Sequence, residues 1–269
     1  MSNNKQISDQ EFTAVTELFY AGKWDECEAE IGRLKEIYPE GIKLDFLESM
    51  IFFWTFYYCG KQPSVGRKFI ELSENIISES KTSVKETDDD ILLLKSGLLG
   101  YQALTHVSLM SFKDALKSGK KAYEITTELE KRNIKDDRAA IGFGMFNYML
   151  GSVPSQLKFA TKMMGLSGDK EKGMEYLHQA SESDLYIRFD GRMLLAELFA
   201  RDSYFEEALK KVEISMEESP DHLVFLLKAA NLCGKLGKAD QRETYLNKIL
   251  ENTDTHFGYQ RKEARRMLG

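Results

Sequence analysis

Proline and cysteine are both scarce: four prolines and three cysteines occur in 269 residues. Proline lacks an amide donor and clashes with the preceding turn, so its scarcity leaves long stretches free to run as helix. Cys27, Cys59 and Cys233 are odd in number, far apart and never paired as Cys-x-x-Cys. That excludes a disulfide framework and a cysteine zinc site, and the three read as buried thiols acting as small apolar residues. Basic excess is also missing, because 37 Lys+Arg stand against 43 Asp+Glu for a net charge of −6. A nucleic-acid-binding surface would normally show the opposite balance. The most apolar segment, Phe46 to Cys59, is interrupted by Glu48. It falls short of the ~20 residues that a spanning helix needs. The opening Met-Ser-Asn-Asn-Lys-Gln has no apolar stretch of signal-peptide length. The chain is therefore expected to be soluble and cytoplasmic, or periplasmic if a leader has been removed.

Signatures of catalysis are wanting too. His106, His178, His222 and His256 are scattered, with no His-Glu-x-x-His and no Gly-x-Ser-x-Gly. Gly165 to Gly173 ends in Met174 rather than the Lys-Ser/Thr of a phosphate loop. Acidic pairs such as Glu217 and Glu218 read as solvated helix surface. No enzyme activity, metal or cofactor is expected.

What the chain does have is repetition. Phe19 to Pro39 reads as the end of one helix, a turn at Gly22, and a second helix starting near Asp25 and stopped by Pro39. Within it Cys27, Ile31 and Leu34 share one face. A similar small–apolar–small spacing recurs at Ala115, Gly119 and Ala122, at Gly173, Leu177 and Ala180, and at Ala208, Val212 and Ser215. Gly66, Ile70 and Ser73 form a weaker copy, and Arg242, Leu246 and Ile249 the last. The first members of the six sets lie 39, 49, 58, 35 and 34 residues apart. Small residues let neighbouring helices approach to the close end of the 8–10 Å packing range. The coarse reading pairs 8–21 with 25–38, 41–59 with 64–80, 88–109 with 111–131, 136–151 with 169–183, 187–201 with 204–218, and 222–236 with 238–252. A closing helix follows at about 256–268. Asp88 to Asp90, and Asp136 with Asp137, suit helix N-termini.

This pattern resembles the tetratricopeptide repeat. The resemblance implies an all-α, right-handed superhelix of about six helical hairpins plus a capping helix, as one domain over 1–269. Residues 139–173 resemble more closely a subset of such proteins, bacterial members and the eukaryotic inclusion-body-clearance family, through Phe146, Asn147, Tyr148, Pro154, Gly165, Gly168, Asp169 and Gly173. Lys170 stands where that pattern usually has Arg. The resemblance implies a helical-repeat adaptor and brings no catalytic residue with it.

The same region carries an insertion at about 152–167. Leu157, Ala160 and Met164 recur at helical spacing, Phe159 and Met163 flank them, and Lys158 and Lys162 make the other side basic. This is expected to be a short amphipathic helix that packs on the array or covers one end of its groove. Weak membrane contact and partner docking are the alternatives. The helix 41–59 is aromatic on nearly every side and is expected in the core, with an aromatic-lined groove for an apolar peptide or a lipid-like ligand as the alternative.

Register with the family places a concave binding face at Phe12, Thr16, Phe19 and Tyr20, at Ile51, Thr55 and Tyr58, at Leu104, at Met193, Glu197 and Arg201, and at Asn231 and Lys235. Phe12 and Thr16 stand where chaperone-binding members carry Lys and Asn, so no clamp for a C-terminal carboxylate is expected. The leading expectation is a non-catalytic interaction module holding a protein or peptide partner. The alternative is a binder of an apolar small molecule or lipid, which an elongated apolar cavity would favour.

Overall fold

The computed structural model describes residues 7–39, 42–83, 89–132, 136–163 and 165–269, without the side chains of 9, 80–83, 157 and 160. Every described element is helical, and every helix expected from the sequence is present close to its expected bounds. They are α1 (Asp9–Tyr20), α2 (Trp24–Ile37), α3 (Ile42–Tyr58), α4 (Pro63–Ser83), α5 (Asp89–Ser108), α6 (Phe112–Lys131) and α7 (Asp137–Gly151). The chain continues through α8 (Ser155–Met163), α9 (Lys170–Ser181), α10 (Ile187–Arg201), α11 (Phe205–Glu218), α12 (Leu223–Leu236), α13 (Ala239–Glu251) and α14 (Gly258–Leu268). A 3-10 turn over Thr255–Phe257 precedes the last helix.

Local chemistry sets the ends. Ser8 and Glu11 cap α1 reciprocally, satisfying amides that have no intrahelical partner. Asp136 caps α7 by accepting the Arg138 N–H at 2.9 Å. Asp169 caps α9 by accepting the Glu171 and Lys172 N–H groups at 2.8 and 3.1 Å. These two acids behave as expected. Asp88 lies outside the described residues, while Asp89 and Asp90 open α5 and pair with Arg132 and Arg138.

Helices pair in chain order, α1 with α2, α3 with α4, α5 with α6, α7 with α9, α10 with α11 and α12 with α13. Each pair then packs on the next, and α14 covers the last. The closest approach is between α7 and α9. A Cβ added to Gly173 would lie 2.3 Å from the Tyr148 amide nitrogen, and one at Gly151 would lie 2.2 Å from that of Lys170. Only glycine admits backbones at that distance.

The two ends of the array meet. Trp24 lies 4.5 Å from Phe257 between ring centroids, Tyr20 stacks on Phe189 at 4.9 Å, and Trp54 lies 5.6 Å from His222. Asp25 accepts from the Thr255 amide at 2.9 Å and its hydroxyl at 2.6 Å. Gly22, in the left-handed region at φ 73°, sits against His222, where a Cβ would press into the histidine at 3.0 Å. One hydrophobic core thus runs from Ile7 to Ala264. α3 contributes Leu44, Phe53, Trp54 and Phe56 to the interior, as its aromatic content implied.

Candidate functional site

Aromatic side chains fill one part of the interior, and another part is open. There the walls enclose a cavity of about 1200 Å³. Phe12 and Thr16 of α1, Phe46 and Met50 of α3, and Leu94, Tyr101 and Leu104 of α5 form one side. Leu116 and Tyr123 of α6 with Met145, Phe146 and Met149 of α7 form the other. The segment 184–190 closes one end. The wall is mostly carbon.

The opening has a local cause. Gly97 and Gly100 put no side chain on the cavity face of α5, and a Cβ at either would meet nothing within 4 Å. Gly119 and Gly142 also line the space. Here glycine leaves a gap, whereas at Gly151 and Gly173 it brings two backbones together.

Asp190, in the first turn of α10, is the one buried acid on this wall among the described residues. Tyr20 Oη donates to its Oδ2 at 2.5 Å and Tyr101 Oη to its Oδ1 at 3.4 Å. Burial raises its carboxyl to about 6, against these donors and the nearby Trp54 indole N–H, which favour the charged form. The Trp54 nitrogen itself has no aligned hydrogen-bond partner among the described residues. Tyr20 and Tyr101 are held well above the ordinary phenol range, first by burial and then by the negative charge of Asp190. Tyr186, stacked on Tyr20, is pushed up to about 12 by burial. None of these phenols ionises near neutral pH, so the group acts as hydrogen-bond donors around one acid. At the rim, Arg138 binds Asp136 at 2.5 Å and Asp90 at 2.6 Å.

The expected binding residues divide into two groups. Phe12, Thr16, Phe19, Tyr20 and Leu104 line the cavity. Ile51 and Met193 are sealed in the core, and Thr55 keeps a buried hydroxyl without a partner among the described residues. Tyr58 is half-buried against Trp54 at 4.9 Å. Glu197 pairs with Lys228 at 2.8 Å, and Arg201 pairs with Asp202 and donates to the Tyr148 hydroxyl. Asn231, inside α12, donates to the Leu227 carbonyl one turn back at 2.9 Å, and Lys235 is exposed. The second group does not line the cavity with the first. Meeting of the chain ends covers much of the face that an open array would present. Asp190, Gly97 and Gly100 were not singled out from the sequence. An acid in the first turn of a helix also suits the helix dipole, and that reading hides it.

Within the 139–173 pattern, Asn147, Asp169, Gly168 and Gly173 are engaged in capping and helix contact, whereas Gly165 meets nothing and Pro154 is exposed. Asn147 Oδ1 accepts the Asp169 N–H at 3.3 Å, and Asn147 Nδ2 donates to the Phe143 carbonyl at 2.9 Å. Gly168 and Gly173 both face the α7 backbone.

A second polar cluster joins Asp25, Asp254 and His256. Its oxygens are already engaged. Asp254 accepts the Asp25 and His256 N–H groups, and the His256 ring lies 3.0 Å from Asp25 and 3.2 Å from Glu28. Hydrogen bonding to Asp254 and the surrounding acids raise His256 to about 9. This is a charged clasp across the seam. His222 is fully buried, stacks on Phe225 at 4.2 Å and is lowered to about 3 by burial. Cys27, Cys59 and Cys233 are all free and buried, and burial pushes the Cys27 and Cys59 thiols up to about 12.

No described helix is long and apolar enough to cross a membrane. No protein-family model matches the chain, and no curated protein matches it.

Proposed function

We propose that this chain is a non-catalytic carrier of an apolar guest, a lipid-like chain or an apolar small molecule, built as a closed tetratricopeptide-like array of α-hairpins. The observation that carries this reading is the cavity of about 1200 Å³ between α1, α3, α5, α6 and α7. Small-molecule sites usually occupy about 300–1,000 Å³ and combine an apolar lining with few polar groups. This one is at the large end and has Asp190 with its tyrosines as an anchor for a hydroxyl or amine. Pairing of helices in chain order supports the tetratricopeptide-like reading of the scaffold.

A peptide or helix of a partner protein is the second reading. It is favoured by the five expected contact residues, Phe12 to Tyr20 and Leu104, that border the same space. Either way the guest is held and left unchanged. The clamp for a C-terminal carboxylate remains an expected absence, to be tested by comparing a free-acid peptide with its amide.

Mass spectrometry of the native protein is the direct test, combined with binding of a fluorescent fatty acid. Retained lipid and saturable probe binding support the carrier reading. The paired variant Gly97→Phe with Gly100→Phe fills the cavity from a wall where side chains meet no obstacle. It is expected to abolish probe binding while keeping the helical spectrum. Probe binding unchanged in that variant, or absent from the native chain, would overturn it.

A further inference from the structure

The mouth of the cavity is apolar and exposed. Val107, Phe112, Leu116 and Met149 line the cavity and also face solvent. Met110, at the tip of the turn between α5 and α6, is 72% exposed. α8 adds Phe159 at 74% and Met163 at 75%. α8 was expected to pack on the array through Leu157, Ala160 and Met164, whose side chains lie outside the described residues, and it turns the flanking Phe159 and Met163 to water. It is nevertheless tethered beside the mouth. Four residues before its first, α7 ends at Gly151, next to Met149, and three residues after its last, Leu166 lines the cavity. Tyr123 Oη donates to the Ser167 carbonyl at 3.5 Å, holding the following loop on α6.

Charge distinguishes this rim from the rest of the molecule. Segments 107–123 and 155–163 contain Lys113, Lys117, Lys120, Lys121, Lys158 and Lys162 against a single acid, Asp114. The whole chain, by contrast, carries a net −6. Among the described residues, Lys120 is the one of these lysines with an ion-pair partner, Glu124 at 3.9 Å. Large exposed apolar side chains set among unpaired lysines are the composition of a surface that enters the headgroup region of an anionic bilayer. Exposed apolar side chains gathered beside a cavity mouth mark an interaction site, and the surrounding lysines favour an anionic lipid surface as its partner.

We propose that the rim made by the α5–α6 turn and α8 docks on an anionic membrane surface, with the cavity mouth facing the lipid. Phe112, Phe159 and Met163 enter the interface, and the lysines meet lipid phosphates. This goes beyond the carrier reading and can stand without it. Together they describe a guest that passes between bilayer and cavity without crossing water.

Vesicle flotation of the full chain tests this, with phosphatidylcholine alone and with phosphatidylcholine containing about one-third phosphatidylglycerol. Flotation is expected only with the anionic vesicles, and about 0.5 M salt, where screening acts within ~4 Å, is expected to release the chain. Phe159→Glu with Met163→Glu is expected to weaken flotation at least about tenfold, because the apolar insertion is lost and the positive charge of Lys158 and Lys162 is neutralised. Both positions are exposed, so the thermal melt and probe binding in solution should match the native chain. Lys113→Glu with Lys117→Glu, on a different helix, is expected to act in the same direction. Equal flotation with neutral vesicles, none with anionic ones, or no effect of either variant overturns the proposal. So does loss of a soluble acidic partner, in place of lipid, when α8 is altered. Gly97→Phe with Gly100→Phe should still float, which separates failure of docking from failure of the cavity.

Discussion

The seam where the chain ends meet and the cavity between α1 and α7 are built from the same kind of hairpin, yet one is sealed and the other open. At the seam, Trp24, Trp54, Phe225 and Phe257 are all fully buried and interlock. Across the cavity, α5 offers Gly97 and Gly100, and the facing side chains do not reach far enough to close the gap. Stability is therefore concentrated in the seam and in the glycine contact of α7 with α9. The cavity region has room for something that is not protein. A seam residue lost leaves a hole in a packed core, whereas a wall residue lost enlarges a hole that is already there.

The largest expected effect breaks the close-packed side of this comparison. Gly173→Val drives a branched side chain into the α7 backbone, 2.3 Å from the Tyr148 nitrogen at its Cβ. A cost of about 3 kcal/mol or more is expected in denaturant melts, since the obstacle is backbone and cannot rotate away. Phe225→Ala at the seam is expected to cost about 3–5 kcal/mol, against about 1 kcal/mol for Leu104→Ala on the cavity wall. Equal costs at the two sites would remove the distinction drawn between them.

Titration sharpens the comparison next. Asp190 has its carboxyl raised from 3.8 to about 6. Its contribution to stability is fully present below pH 3.8 and is lost as pH rises through about 6, by an amount on the order of 3 kcal/mol. Asp190→Asn should therefore melt higher, relative to the native chain, at pH 8 than at pH 4. A difference that does not change with pH would show that Asp190 is not held in that environment. His256 at the seam loses stabilisation at higher pH than Asp190 does. Raised from 6.5 to about 9, it stabilises fully below pH 6.5 and loses that contribution as pH rises through 9. His256→Gln is expected to cost about 1–2 kcal/mol at pH 6, after allowing for its partly exposed partners, and little at pH 10.

The smallest effect has the opposite sign. Gly97→Ala with Gly100→Ala meets no neighbour and removes two glycines from a helix interior, where each costs about 0.5–1 kcal/mol. The double variant should melt higher than the native chain. A lower melting temperature would mean that the α5 face is already in contact with something.

Much of the scaffold was readable in the residues. Gly22 and Pro39 mark the first hairpin, and the small–apolar–small sets mark the faces where helices approach. The Phe146–Gly173 pattern shows why such reading stops short of function. It stood out as individual, yet Asn147, Asp169, Gly168 and Gly173 are spent on capping and backbone contact. Ile51 and Met193 shared the register of a concave face but are sealed in the core. Register assigns a face and says nothing of what a distant hairpin does to it.

The order of the hairpins, their caps and the amphipathic character of α8 were determined by the sequence alone, because capping, turns and helical periodicity act over a few residues. Closure of the array, the cavity left by Gly97 and Gly100, and the burial of Asp190 beneath Tyr20 were decided by tertiary structure. Tyr20 and Asp190 are separated by 170 positions, and no short-range rule of spacing links residues that only the curvature of the assembled array brings together.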